Sequence, residues 1–165
     1  MDPLTIEIGS LDREEIMLRL DASGVELNAH AQQLLLHSDF AQACVPMKIN
    51  LLSCSVKALG LPDGGTLPQI YARARHVGLD LCPIITGPYL RLVHLDQESS
   101  GNSTLSAGMK PADSLTIASP ILGDDDYPKG FYLRVVDSVP WLRGYRCDER
   151  YEFAPRDTFI FQQPA

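Results

Sequence analysis

The stretch that most constrains this fold is Thr66–Asp96, where a helix signal, a sharp stop and a doubly apolar segment follow one another. Thr66 is a suitable N-cap, because its hydroxyl can accept from a backbone N–H two or three residues further on. Pro68 fits the first helical turn, where a missing N–H costs nothing. Apolar residues at three- and four-residue spacing continue to Ala74, and Gly78 suits the left-handed position that ends a helix. The pattern predicts one amphipathic helix that ends near Gly78.

The segment Tyr89–Leu95 follows a second stop at Gly87–Pro88 and is mostly apolar on both faces of an extended chain. This pattern is typical of a central strand that is covered on both sides. Arg91 and His94 are the exceptions, and a buried guanidinium needs a carboxylate or several carbonyl oxygens as partners. Arg91 is therefore either a structural residue inside the fold or a residue that faces a ligand. We predict a strand here, which completes a strand–helix–strand unit across Pro46–Leu95.

The same stretch resembles a family of small uncharacterised bacterial proteins. Their shared pattern is a helix with I-Y-x-R-A, then G-L-x-L-C-P, then G-P-x-L-R-L and a D-Q pair. The resemblance implies a common fold unit and no particular activity. The matching positions are Ile70, Tyr71, Arg73, Ala74, Gly78, Leu79, Leu81, Cys82, Pro83, Gly87, Pro88, Leu90, Arg91, Leu92, Asp96 and Gln97.

Beyond Gln97 the chain departs from that pattern. Residues Glu98–Ala112 are rich in Gly, Ser and Asn and predict a loop, either a connector or a lid over a site.

Composition limits the classes of function. The chain has 165 residues, enough for one compact domain or a domain with an appendage. Its net charge of −7 lacks the basic footprint of a nucleic-acid binder. No run approaches the ~20 apolar residues of a membrane span, and the acidic start MDPLTIEIGS does not resemble a signal peptide. A cytoplasmic location is predicted because the widely spaced cysteines indicate reduced thiols; these are Cys44, Cys54, Cys82 and Cys147.

Residues 1–44 predict a helical hairpin appended to the main domain. After an extended segment Leu4–Ile8, Ser10 is expected to cap a helix Leu11–Ala22, and Asn28 a second helix Ala29–His37. The second helix carries no Arg or Lys, which disfavours DNA binding. We expect it to pack on the domain or to dock a partner through Leu34, Leu35 and Leu36.

Residues 45–165 predict an α+β domain, with the Thr66 helix against a curled, mixed, mainly antiparallel sheet of five to six strands. Besides 89–95, the predicted strands are Pro46–Cys54, Leu115–Ile121, Phe131–Val136, Val139–Tyr145 and Asp157–Gln162.

Nothing in the sequence specifies a reaction. There is no G-x-S-x-G elbow, and the paired carboxylates of Asp148 and Glu149 belong to a polar turn. The acidic turn at Asp124 lacks the spacing of a calcium loop. We therefore expect no catalytic residue, no metal and no cofactor.

The candidate ligand site is a polar cluster on the sheet, where aromatic rings and a forked donor would suit a sugar, a carboxylate or a peptide. The alternative is that Trp141 simply fills the core. The favoured function is a non-catalytic binding or protein-interaction module; the alternatives are a small enzyme acting in the concave face of the sheet and a structural or assembly protein, with a homodimer possible. The site residues are Arg91, Asp96, Gln97, Tyr132, Trp141 and Arg143.

Overall fold

The computed structural model describes residues 3–97 and 114–164, and within them the architecture is α+β. Four helices pack on a curled mixed sheet of seven strands, and a second sheet has two short strands. The elements are β1 (Leu4–Ile8), α1 (Arg13–Ala22), β2 (Glu26–Leu27), α2 (Ala29–Leu35), β3 (Met47–Ser55), β4 (Gly65–Thr66), α3 (Leu67–His76), α4 (Thr86–Val93), β5 (Leu115–Ile117), β6 (Gly130–Val136), β7 (Val139–Tyr145), β8 (Glu152–Phe153) and β9 (Thr158–Gln163).

The large sheet has the order β1-β3-β9-β5-β6-β7-β2, and β4 pairs with β8 in the small one. Neighbouring strands of the large sheet are antiparallel except β5 with β9 and β2 with β7, which are parallel. The prediction of a mixed, mainly antiparallel sheet is confirmed. The strand count is higher than predicted because the N-terminal segment supplies both edge strands, β1 and β2.

The strands divide the core between two faces of the sheet. On β6, Phe131 and Leu133 join the core that also holds the buried residues of α1, α2 and α4. Tyr132, between them, points to the other face, where α3 packs over Phe159 and Phe161 of β9. This is the two-residue alternation of an extended strand, and here both faces are covered.

The helix α3 is confirmed as the sequence predicts it. Thr66 and Gln69 form a reciprocal cap: Gln69 N–H donates to the Thr66 hydroxyl at 3.4 Å, and Thr66 N–H donates to the Gln69 side-chain oxygen at 2.9 Å. Gly78, just beyond the helix, has φ +86°. The chain therefore leaves the helix at a left-handed position that favours glycine, as the sequence predicts.

The predicted strand at 89–95 is wrong, and the strand–helix–strand unit is wrong with it. Residues Thr86–Val93 form α4, and its first six residues are all buried. A helix that is buried on nearly every side and a strand that is buried on both faces leave the same apolar run in a sequence. Gly87 and Pro88 belong to the first turn of this helix rather than to a turn before a strand. A Cβ on Gly87 would lie 2.5 Å from the Phe131 ring, so close packing on β6 explains the glycine.

The N-terminal helices exist, but they differ in detail from the prediction. The cap of α1 is Asp12 rather than Ser10, because the Asp12 carboxylate accepts the Glu15 N–H at 2.9 Å. Asn28 caps α2 as predicted, and α2 ends at Leu35. Because β1, β2 and the buried residues of both helices belong to the large sheet and its core, residues 3–44 are integral to the fold there. The domain boundary at 44/45 stays a prediction.

The docking face predicted on α2 is not available as a whole. Leu34 and Leu35 are 0% and 2% exposed and fill the core, whereas Leu36 is 71% exposed. A partner at this face would therefore meet Leu36 alone of the three leucines.

None of the helices in the two described ranges is long and apolar enough to cross a membrane. The loop predicted at Glu98–Ala112 lies outside the described residues.

Candidate ligand-binding site

The hairpin of β6 and β7 places two arginines and two aromatic rings on one face of the sheet. Its turn residues, Asp137 and Ser138, both have positive φ, as tight hairpin turns require. The register sets Tyr132 opposite Arg143 and Arg134 opposite Trp141. Directly opposed residues of an antiparallel pair share a face, so the four side chains lie side by side. We call this set, Tyr132, Arg134, Trp141 and Arg143, the Arg143 shelf.

Arg143 is held by aromatic groups rather than by a carboxylate. Its Nε donates to the Tyr132 hydroxyl at 2.8 Å. Its guanidinium carbon lies 5.1 Å from the centre of the Trp141 ring and 5.9 Å from that of Tyr132, within cation–π range. In residues 3–97 and 114–164, no carboxylate lies within ion-pair distance of Arg143 and no acceptor meets its two terminal nitrogens. The guanidinium is thus held in one orientation, while its terminal nitrogens remain available to an acceptor. The residue as a whole is 9% exposed.

Asn28 fixes the outer edge of the shelf. Its side-chain amide pairs with both main-chain groups of Gly144: Nδ2 donates to the carbonyl at 2.9 Å, and the Gly144 N–H donates to Oδ1 at 2.9 Å. The same oxygen accepts the Ala31 N–H at 2.8 Å and so caps α2. A Cβ on Gly144 would lie 2.7 Å from the His30 carbonyl carbon, which explains the glycine. One side chain therefore joins α2 to β7 and places His30 against Gly144, on the face of β7 opposite to that of Arg143.

The charge near the shelf is positive. The pKa of His30 is lowered, first by burial and then by the charges of Arg146 and Arg143. His30 is therefore neutral at pH 7, with one ring nitrogen as a donor and the other as an acceptor.

Arg91 forms a separate structure, which we call the Arg91 latch: Arg91, Gln97 and the carbonyl oxygens that they bind. Arg91 is 0% exposed. Its Nη1 donates to the Gln97 side-chain oxygen at 2.9 Å and to the carbonyl oxygens of Trp141 and Arg134 at 3.2 and 3.4 Å. Its Nη2 donates to the carbonyl of His94, the residue that ends α4.

The latch joins α4 to the hairpin through neutral oxygens. Gln97 adds a hydrogen bond from its Nε2 to the Leu133 carbonyl at 3.0 Å. Burial lowers the pKa of Arg91 to about 10, so the group is still charged at neutral pH. Several carbonyls, rather than a carboxylate, compensate the buried charge. Among the alternatives for Arg91, this geometry favours the structural one.

The structure thus divides the six predicted site residues into groups. Tyr132, Trp141 and Arg143 lie together on the shelf. Arg91 and Gln97 reach the hairpin through its main chain and do not share the shelf. Asp96 lies apart from both groups: its side chain is 91% exposed, and it pairs with His94 Nδ1 at 3.2 Å.

Sequence reasoning missed four contributors: Arg134, Arg146, His30 and Asn28. The alternation along β6 was enough to place Arg134 on the face of Tyr132. No local signal links Asn28 to Gly144, which is 116 residues away in the chain.

A concavity of about 300 Å³ lies away from the shelf, between α3 and two acidic turns. Lys129 occupies its wall, and the Lys129 ammonium group donates to the Asp125 carboxylate at 3.1 Å and the Asp124 carbonyl at 3.3 Å. In the described part of the chain, no three His, Cys, Asp or Glu side chains are arranged to hold a metal ion. The lining residues are Leu67, Pro68, Ile121, Gly123, Asp124, Asp125, Lys129, Asp148 and Glu149.

No family model matches this chain, and neither does any curated protein or solved structure. The resemblance of Thr66–Asp96 to a bacterial family therefore stays a prediction. The function has to be argued from the geometry of the site.

Proposed function

We propose that the protein is a non-catalytic binding module that holds a small ligand on the Arg143 shelf. The observation that carries the proposal is the state of the Arg143 guanidinium. It is nearly buried and oriented by Tyr132 and Trp141, yet its terminal nitrogens meet no acceptor within the described ranges. The terminal nitrogens of Arg143 are not among the buried atoms without a partner in the described residues, so they reach the surface. They can therefore donate to the acceptors of a ligand.

The chemistry of the shelf suits recognition more than catalysis. A guanidinium and aromatic rings bind and orient ligands. General acid–base catalysis needs a group that changes charge near the working pH, which arginine does not do. The lowered pKa moves His30 away from that range, and His30 packs against Gly144 at the start of α2.

A cytoplasmic location is part of the proposal. The four cysteines are free thiols, and Cys44 is exposed. An exposed thiol that stays reduced suits a reducing compartment.

The test is a set of titrations followed by NMR. Trp141 is the one tryptophan of the chain, so its indole N–H signal reports directly on the shelf. We would add D-glucose, an N-acetylated dipeptide amide and benzoate, one for each of the three ligand classes, and benzamide as the neutral counterpart of benzoate. We expect at least one of them to shift the Trp141 indole signal together with backbone amides of β6 and β7. Arg143→Gln should weaken that binding at least about tenfold, the effect of losing charge-assisted hydrogen bonds.

The matched control is Arg75→Gln, which makes the same change on the exposed surface of α3. It should leave binding unchanged, and circular dichroism should show that both variants stay folded. If none of the four probes shifts Trp141, or if all shifts cluster at the acidic concavity, the proposal is wrong.

A further inference from the structure

We infer that the shelf selects an anionic group, a carboxylate or a phosphate, carried on a flat ring. This inference rests on the proposed function and goes one step beyond it, because the binding proposal would hold for a neutral ligand as well.

The first support is the unused part of the Arg143 fork. Tyr132 occupies Nε, which leaves the two terminal nitrogens for a ligand. Two parallel N–H donors match the two oxygens of a carboxylate or phosphate, and this match is the geometric reason for arginine at anion sites. The chain has 21 acidic residues, yet the ion pairs of the described ranges do not include Arg143. An external anion would supply the partner that the chain itself does not.

The second support is the positive surroundings of the fork. Arg134 lies on the shelf, Arg146 follows β7 directly, and the charges of Arg143 and Arg146 both act on His30. His30 packs against Gly144 on the opposite face of β7, so charge rather than a hydrogen bond couples it to a ligand on the shelf. An anion bound there would oppose the two arginine charges at His30, so it would raise the pKa of that imidazole. This gives the inference a readout that simple ring stacking would not move.

The third support defines the shape and charge of the ligand. The guanidinium lies over the half-buried Trp141 ring, so a planar group next to the anion can pack along this stacked pair. Glu26, the register partner of Trp141 on β2, is exposed at the edge of the same face. Its carboxylate disfavours negative charge at this edge. An anion on the shelf therefore has to be compact and to stay beside the Arg143 fork.

The experiment uses four probes that share one ring: benzoate, phenyl phosphate, benzamide and benzylamine. NMR would follow the Trp141 indole signal for affinity and the His30 ring signals for pKa. We expect benzoate or phenyl phosphate to bind at least about tenfold more tightly than benzamide, with benzylamine weakest. We also expect the bound anion to raise the pKa of His30. Arg143→Gln should abolish the preference, Arg143→Lys should retain part of it, and Arg75→Gln should change nothing.

Each outcome decides the question. If benzamide binds as tightly as benzoate, shifts Trp141 and leaves His30 unmoved, the anion inference fails while the binding proposal stands. Tighter binding of benzylamine would also overturn the inference. If no member of the series reaches Trp141, the inference is wrong, and the glucose and dipeptide titrations then decide the proposed function alone. The comparison of benzoate with phenyl phosphate tells which anion the fork prefers.

Discussion

Arg91 and Arg143 both contact the β6–β7 hairpin, but the fold gives them very different numbers of hydrogen-bond acceptors. Arg91 is fully buried and donates to four oxygens, three of them main-chain carbonyls. Arg143 is almost as deeply buried. Among the described residues, its guanidinium contacts only the Tyr132 hydroxyl and the rings of Tyr132 and Trp141. Depth alone therefore does not separate a structural arginine from one that faces a ligand. The terminal nitrogens do: both of those on Arg91 meet acceptors and only its buried Nε lacks one, whereas those on Arg143 meet no acceptor among the described residues.

The largest expected effect comes from Arg91→Met. Methionine keeps a long flexible side chain but removes every donor, so the carbonyls of Arg134, Trp141 and His94 lose their partner inside the protein. Leaving several buried acceptors unsatisfied should lower the free energy of unfolding by about 3 kcal/mol. Urea unfolding followed by circular dichroism would measure the loss.

The matched change is Arg143→Met, which removes one hydrogen bond and the two ring contacts. We expect it to cost no more than about 1 kcal/mol. If both variants lost the same free energy of unfolding, the conclusion that Arg91 is structural and Arg143 is not would be wrong. Ligand binding should respond in the opposite order, since Arg143→Met removes the fork while Arg91→Met leaves it in place in the molecules that remain folded.

An effect smaller than that of Arg91→Met is expected at Asn28, which joins α2 to β7. Asn28→Ala removes a helix cap and two hydrogen bonds to Gly144, so it should cost about 2 kcal/mol. Asn28→Asp keeps an oxygen for the N–H groups of Ala31 and Gly144, but its second oxygen would face the Gly144 carbonyl oxygen, so it should retain no more than about half of that stability.

Urea unfolding would measure both Asn28 variants, and the Trp141 indole signal would report the shelf. We expect the indole signal to move in Asn28→Ala and to stay near its place in Asn28→Asp. If both variants behaved alike, the oxygen of Asn28 would not be the group that matters.

Much of the fold could be predicted because its signals are local. The cap of α3, the alternation along β6 and the turn between β6 and β7 each lie within a few residues of one another, and the structure has all three. The failure at α4 has a physical cause. Its first six residues are all buried, so its short apolar run also fitted a covered strand, although the run carries a helical period as well. The close packing of the Phe131 ring on Gly87 explains the glycine in α4, but these two residues are 44 positions apart in the sequence.

The candidate site was predictable in part for the same reason. Tyr132, Trp141 and Arg143 belong to one hairpin, so residue alternation was enough to bring them together. Arg91 was recognised as a guanidinium in need of partners, but the partners are main-chain carbonyls, which a sequence does not display. Asn28 and His30 reach β7 from the other end of the chain, and tertiary packing alone places them.

The smallest expected effect is on the pH dependence of stability, where each arginine has a histidine beside it. Burial is the main cause that lowers the pKa of His94; Asp96 opposes the shift, and Arg91 adds to it. A histidine with a lowered pKa in the folded state binds protons more readily when unfolded. Its contribution to the free energy of unfolding is therefore complete above the unfolded pKa of about 6.5 and is lost as the pH falls through the folded pKa.

Urea unfolding at pH 7.5 and pH 5.0 would compare the wild type with His94→Gln and His30→Gln. Each variant should lose less stability on acidification than the wild type, because it lacks one group that gains a proton on unfolding. Adding benzoate should reduce the pH effect of His30 and leave that of His94 unchanged, since an anion on the shelf would raise the pKa of His30 alone. An equal response of both histidines to benzoate would mean that latch and shelf are one electrostatic unit, and the contrast between the two arginines would then have to be abandoned.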